Sequence, residues 1–337
     1  MTKVLVTGGC GFIGSNFVRA VLAERPDWEI VNLDKLTYAG RLENLADVAD
    51  DPRYRFVRGD ICDSGAVREA MAGCTAAVNF AAETHVDRSL LGAAHFIDTD
   101  MKGVLVLLEE ARRIGLGRFV QISTDEVYGS ITEGSFDEVC VLNPRNPYAA
   151  SKAGGDRLAF AYWATYGVPV VITRASNNYG PYQYPEKLIP LFATNALRDE
   201  SLPLYGDGRN VRDWLHVSDH CRAVLFVLEH GVDGEVYNIA GGNERENIAI
   251  TREVLRLLGK PDSLIRPVDD RVGHDRRYSL DAGKLRRLGW SPLVPFEAGM
   301  AETVRWYAEH ESWWRPIKDR DGEFRRYYEE QYGARLK

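Results

Sequence analysis

Short β-branched and aliphatic runs alternate with helix-length segments through the first half of the chain. KVLVTG at Lys3, EIVNLD at Glu29, RFVRGD at Arg55, AAVNFAA at Ala76, RFVQIST at Arg118 and VPVVITRAS at Val168 read as strands. Between them, segments such as 12–24 and 101–114 carry helical periodicity. This alternation predicts an α/β fold built on a doubly wound parallel sheet. Beyond about Gly180 the rhythm loosens, with Pro181, Pro185, Pro190 and Pro203 spread through mixed segments. The expected division is therefore 1–185 for the sheet domain and 186–337 for a smaller mixed α/β lobe and tail, where the substrate should sit. GDGR at 206–209 marks a turn, 216–230 reads as a helix, and EVYNIAG from Glu235 reads as a strand, so that 215–242 is expected to return to the first domain. Trp306, Trp313 and Trp314 among charges suggest a docked amphipathic helix at the carboxyl end.

Composition narrows the function. The chain has 337 residues, 45% hydrophobic and 27% charged, enough for a sizeable core. A net charge of -7 disfavours nucleic acid and anionic membranes as partners, so an anionic ligand must be held by local cations. Cys10, Cys62, Cys74, Cys140 and Cys221 are scattered without metal-ligand spacing and read as reduced thiols. The opening MTKVLVTGG enters a strand at once, and no apolar run approaches a membrane span, so a cytoplasmic protein is expected.

Three constellations carry chemistry. In GGCGFIGS, Gly8, Gly11 and Gly14 follow a strand and open a helix, the spacing that lets backbone N–H groups approach a pyrophosphate. Asp34 ends the second strand, where a carboxylate can bind ribose hydroxyls and repel a 2′-phosphate. The fold is thus Rossmann-type and NAD is the expected cofactor, with Lys35 the one feature pulling towards NADP. Asp60 and Ile61 are candidates for the adenine edge, or an ordinary strand-end turn. In NPYAASKAGGD, Tyr148 and Lys152 stand four apart on a helix, so a cation beside the phenol is expected to lower its pKa and make it a base for alcohol oxidation. Finally, STDEVYG sets Thr124, Asp125 and Glu126 at a strand's carboxyl end. Either this is a surface turn with a capping Asp, or the two acids perform a second reaction. His216 and His220 share metal-ligand spacing without a third ligand, so no metal is expected. Phe160, Tyr162 and Trp163 read as core or interface.

The glycine fingerprint with YxxxK resembles the extended short-chain dehydrogenase/reductase superfamily, which acts mainly on nucleotide sugars. NFAAETHVDRS, STDEVYG, NNYGPYQYPEKLIP, YGDGRNVRDWLHVSDHCRA and GHDRRYSLD resemble the dTDP-glucose 4,6-dehydratases in particular, across residues 3–290. Cys10 departs from the Ala usual there. The resemblance implies that Glu126 removes the C5 proton of a 4-ketohexose, that Asp125 protonates the departing C6 hydroxyl, and that NAD is regenerated in each turnover. Close carboxyls in a dry site push their pKa values apart, but the sequence does not say which is raised. The resemblance also implies cofactor contacts from Phe12, Ile13, Lys35, Thr37, Ala81, Ala82, Thr99 and Asn177, besides the residues above. Around the nucleotide sugar it implies Asn177, Lys187, Leu188, Pro203, Tyr205, Arg212, Asn247, His274, Arg277 and Tyr278, with Thr84 near the hexose. Of these, Lys187, Arg212 and Arg277 offer charge for a diphosphate. It further implies a homodimer through the helix of Tyr148 and that near 100–114. A dehydratase for another nucleotide hexose, such as UDP-glucose, and a non-catalytic NAD-binding regulator are the alternatives.

Overall fold

The computed structural model describes residues 2–271 and 273–333. The predicted strands form as β1 (Thr2–Thr7), β2 (Trp28–Asp34), β3 (Tyr54–Arg58), β4 (Ala76–Asn79), β5 (Arg118–Thr124) and β6 (Val170–Ala175). Further along come β7 (Asn177–Tyr179), β8 (Leu202–Tyr205), β9 (Val211–His216), β10 (Val236–Ile239), β11 (Glu244–Glu246) and β12 (Ile265–Val268). Seven of them make one parallel sheet in the order β10-β6-β5-β4-β1-β2-β3. Strand order reverses between β1 and β4, and a crevice opens there at the carboxyl ends. Alternate residues of one strand feed opposite faces: Val4 and Val6 pack with the helices Phe12–Glu24 and Val217–His230, Leu5 with the opposite layer. That two-sided burial is why the strands read as continuous apolar runs. The stretch 215–242 supplies both the helix Val217–His230 against this sheet and its edge strand β10.

The remaining strands form two small sheets, β11-β9-β7 and β12-β8. With the helices Leu188–Leu197, Asn247–Leu258 and Phe296–Glu309 they enclose a separate core, in which Trp314 is fully buried. Trp306 and Trp313 pack at its margin.

The helix Pro147–Tyr166 begins where Asn146 Oδ1 accepts the Ala149 N–H at 2.8 Å, with Pro147 in the first turn. Gly154 and Gly155 let it lie directly on residues 98–103, since a Cβ on Gly155 would run into the Asp100 carbonyl oxygen. Those residues form a π-helical turn, and regular α-helix starts only at Val104, not at 101. Tyr162 on the outer half is buried core, with Phe160 and Trp163 packed at its edge.

Candidate active site

The cavity at the switch point is built from strand ends. After β1 the chain turns through Gly8 at φ +68° and starts the helix Phe12–Glu24 at Gly11, which has no side-chain cap. The first-turn N–H groups therefore face the cavity. A Cβ on Gly14 would run into the Gly8 carbonyl oxygen, so this glycine sets how closely the helix meets the strand. At the end of β2, Asp34 accepts N–H bonds from Cys10 at 2.9 Å and Leu36 at 2.8 Å, which ties the turn to the carboxylate. Burial pushes the Asp34 pKa up, opposed by these two bonds. Lys35 lies 3.6 Å from Asp60 and 3.4 Å from Glu83, so its charge is already engaged. Gly8, Gly11, Phe12, Ile13, Gly14, Asp34, Lys35, Thr37, Asp60, Ile61, Ala81, Ala82, Thr99 and Asn177 all line this one cavity. Asn177 Oδ1 is buried there without a hydrogen-bond partner.

The same cavity holds Thr124, Asp125, Glu126, Tyr148 and Lys152. Strand β5 ends at Thr124, and residues Asp125–Tyr128 make a single 3₁₀ turn whose first N–H groups the Thr124 side chain caps, accepting from Glu126 at 3.3 Å. The Thr124 hydroxyl donates to Asp125 Oδ1 at 3.1 Å and lies close enough to the Tyr148 phenol to favour its ionised form. Asp125 is 4% exposed and its Oδ2 has no partner. Burial, and then the neighbouring Glu126, push its pKa up to about 8, against the opposing charge of Arg212. The fold thus favours the protonated form of Asp125, a direction that the sequence alone left open. Glu126 Oε2 lies 3.4 Å from both Asn146 Nδ2 and the Tyr278 hydroxyl, whose shorter bond, 2.7 Å, goes to Asp275.

The Tyr148–Lys152 expectation needs correction. Burial, then Glu126 and Asp100, push the Tyr148 phenol well above its usual value, and Lys152 does not reverse this. The ammonium donates instead to the Ile122 carbonyl at 2.8 Å, and burial lowers its own pKa against Asp100 and Asp156. Burial, reinforced by the two carboxylates, decides the direction.

Of the sugar-nucleotide candidates, Thr84, Asn177 and Lys187 line the cavity, with the Lys187 ammonium donating to the Thr84 hydroxyl at 3.3 Å. Leu188, Pro203, Tyr205, Arg212, Asn247, His274, Arg277 and Tyr278 lie outside its wall. Arg212 is buried behind Glu126, stacked 4.2 Å over the Tyr278 ring, and Asn247 Oδ1 is buried without a partner. Tyr205 donates to Asp87 at 3.0 Å and meets His274 edge-on, while Pro203 pairs with Arg266 and Leu188 opens its helix. Arg277 is not free for a phosphate: both arms of its guanidinium bind Glu244 at 2.8 Å. Arg271, which the sequence reading passed over, binds Asp87 at 3.0 Å and feels the charge of Glu126. Its immediate surroundings, DDRV at 269–272, hold two acids beside it and gave no signal of this. His216 caps the helix that follows, bonding Ser218 at 2.8 Å, and His220 bonds Asn178 at 2.9 Å. No group of three metal-ligating side chains occurs among the described residues.

Residues 5–303 match the family model for GDP-mannose 4,6-dehydratase. The chain belongs to this dehydratase family. Within the family, the chain is 55% identical to a dTDP-glucose 4,6-dehydratase of Streptomyces niveus over 95% of this chain and 96% of the relative. A dTDP-glucose 4,6-dehydratase of an Actinoplanes strain is 53% identical over 93% and 99%. The solved structure of DesIV, the dTDP-glucose 4,6-dehydratase of Streptomyces venezuelae, with NAD and dTDP bound, superposes with a TM-score of 0.93 at 55% identity, covering 94% of this chain and all of that one. Against this dehydratase background, the uncapped glycine turn and the partnerless Asn177 oxygen are groups that suit a dinucleotide.

Proposed function

We propose that this chain converts dTDP-glucose to dTDP-4-keto-6-deoxyglucose and water as an NAD-dependent lyase. The observation that carries the reading is a buried Asp125, its Oδ2 without a partner, adjoining Glu126 at the end of β5, in the cavity that holds Tyr148 and the glycine turn. Oxidation alone needs no acid pair; elimination of water needs one acid and one base.

The glycine turn and the Phe12–Glu24 helix hold the pyrophosphate, Asp34 the adenosine ribose, and Lys152 and Asn177 the nicotinamide side. NAD, when bound, accepts the C4 hydride and later returns it to C6. Lys35, pinned between Asp60 and Glu83, is not available for a 2′-phosphate, which supports NAD over NADP. Tyr148, its raised phenol brought down again by the positive nicotinamide ring of bound NAD, takes the proton of the C4 hydroxyl as hydride leaves that carbon. Glu126 then removes the acidified C5 proton while Asp125 gives its proton to the C6 hydroxyl, which departs as water. Glu126 later returns its proton to C5. The proton left on Tyr148 has a path back to Asp125 through the Thr124 hydroxyl, which bonds Asp125 and adjoins the phenol, so the chain ends each turnover with its protons restored. Lys187, on the cavity wall, holds the diphosphate, backed by the charges of Arg212 and Arg271 near the acids, while Tyr205, Asn247, His274, Arg277 and Tyr278 shape the rest of the nucleotide site.

The protein works in the cytoplasm as a homodimer, in this reading. Leu91, Ile97, Leu105 and Tyr166 expose apolar surface along the 86–114 and Pro147–Tyr166 helices, and the five cysteines are unpaired. No described helix is long and apolar enough to cross a membrane.

The deciding experiment incubates purified protein, with and without added NAD, with dTDP-glucose, UDP-glucose and GDP-mannose separately and reads loss of water by mass. Loss from dTDP-glucose is expected; silence from all three would return the chain to the NAD-binding regulator. Glu126→Gln should bind NAD yet slow dehydration by about 10²–10⁴, and full activity in that variant would remove Glu126 as the base.

A further inference from the structure

Arg88, which no step above uses, joins two separate parts of the cavity wall to the carboxyl-terminal helix outside it. It projects from the short helix Val86–Leu91, its guanidinium 3.7 Å from the centroid of the Tyr38 ring and 4.7 Å from that of Tyr327. Its Nε donates to Glu186 Oε2 at 2.8 Å and its Nη1 to Glu323 Oε1 at 2.9 Å. The Tyr38 hydroxyl donates to the other Glu186 oxygen at 2.8 Å, and the Tyr38 ring meets Tyr184 edge-on at 5.2 Å. Tyr184 in turn donates to Asp321 at 3.2 Å and packs on Phe324. Thr37, Ala39 and Gly40 on one side, and Gln183, Tyr184 and Glu186 on the other, line the same cavity. The helix Gly322–Tyr328, arriving from the far end of the chain, thus lies across both through Arg88.

We propose that Arg88 is the pin of a clasp, formed by loop 37–40, turn 183–187 and the carboxyl-terminal helix, that retains the dinucleotide between turnovers. This rests on the cofactor reading above. A reaction that returns its hydride within each cycle has no need to exchange cofactor, and an exit past loop 37–40 requires that loop to part from turn 183–187. Parting breaks the Tyr38–Glu186 bond and strips Arg88 from Glu186, which is 2% exposed. Only a planar guanidinium can stack on two rings and fork to two carboxylates at once. A lysine keeps the charge and loses the geometry.

The test loads the full-length chain with labelled NAD, removes free cofactor by gel filtration, and follows exchange against excess unlabelled NAD. Arg88→Lys and Tyr327→Leu should exchange about tenfold faster than the parent, with turnover at saturating added NAD little changed. Tyr327→Phe, which keeps the ring over Arg88, should exchange at the parental rate. Glu323→Gln, altering a half-exposed carboxylate, tests the tail's hold without leaving a buried charge unpaired and should also accelerate exchange. Unchanged exchange in Glu323→Gln, Arg88→Lys and Tyr327→Leu alike overturns the clasp while leaving the cofactor reading intact. A parent chain that takes up no labelled NAD overturns both.

Discussion

A carboxyl whose pKa rises from 3.8 in the unfolded chain to about 8 in the folded one binds a proton on folding throughout that window. The native state then holds more protons than the unfolded state, so this group's contribution to stability falls as pH rises from about 4 to 8. Asp125→Asn removes the titration, and its stability advantage should grow over that range to about 1–3 kcal/mol, read by calorimetry without cofactor. Catalysis should depend on the same side chain with the same sign, but over a higher range. Asp125 must be protonated to release the C6 hydroxyl, so dehydration should fall about tenfold per pH unit above about 8, and Asp125→Asn should be slow at every pH. A parental profile flat to pH 10 would remove Asp125 as the acid. The pairing of the acids is legible in the letters STDEVYG, but that Asp125 is raised depends on its burial, against the opposing charge of Arg212, and neither is written in those letters. The same limit explains Tyr148: the four-residue spacing to Lys152 is real, yet the ammonium turns to the Ile122 carbonyl, and burial, then the carboxylates, sets the direction.

Among the elements, the helix that carries Tyr148 and Lys152 owes its position to a glycine far from the chemistry. Gly155 rests on the Asp100 carbonyl, and a methyl group there has no room without lifting the helix from the π-turn. Gly155→Ala should therefore move the phenol relative to Thr124, and a displacement near 1 Å costs about 10² in rate. NAD uptake should survive, because the glycine turn lies on another element. A kcat at the parental level would show that the helix is not positioned by this contact. The π-turn itself left no mark in the hydrophobic pattern, which reads as continuous helix from 101, because its extra residue answers to the facing Gly154–Gly155 surface and not to local propensity. Strand β10, by contrast, was readable from its own apolar run.

Across the whole molecule, the parallel sheet was legible because its strands are buried on both faces, whereas the second lobe's sites were not, since Arg212, Arg277 and Asn247 gain meaning only from neighbours brought by other loops. Arg277 carries the right charge in the right motif and spends it on Glu244, while Arg271 faces the acids. The distribution of charge makes a further prediction. The chain carries -7 overall, and the cations nearest the acids, Lys187, Arg212 and Arg271, are largely enclosed. A dianionic nucleotide sugar is repelled at long range and attracted only at contact. Salt screens the exposed charges strongly, over a Debye length of about 10 Å at 0.1 M, and the enclosed ones much less. Raising ionic strength should therefore leave kcat/KM for dTDP-glucose level or raise it, by about twofold. A site that steered its ligand with surface cations would lose capture steeply over the same range. If kcat/KM falls steeply with salt, the diphosphate is being gathered by exposed arginines at the rim, and Arg277, released from Glu244, becomes the first of them to replace.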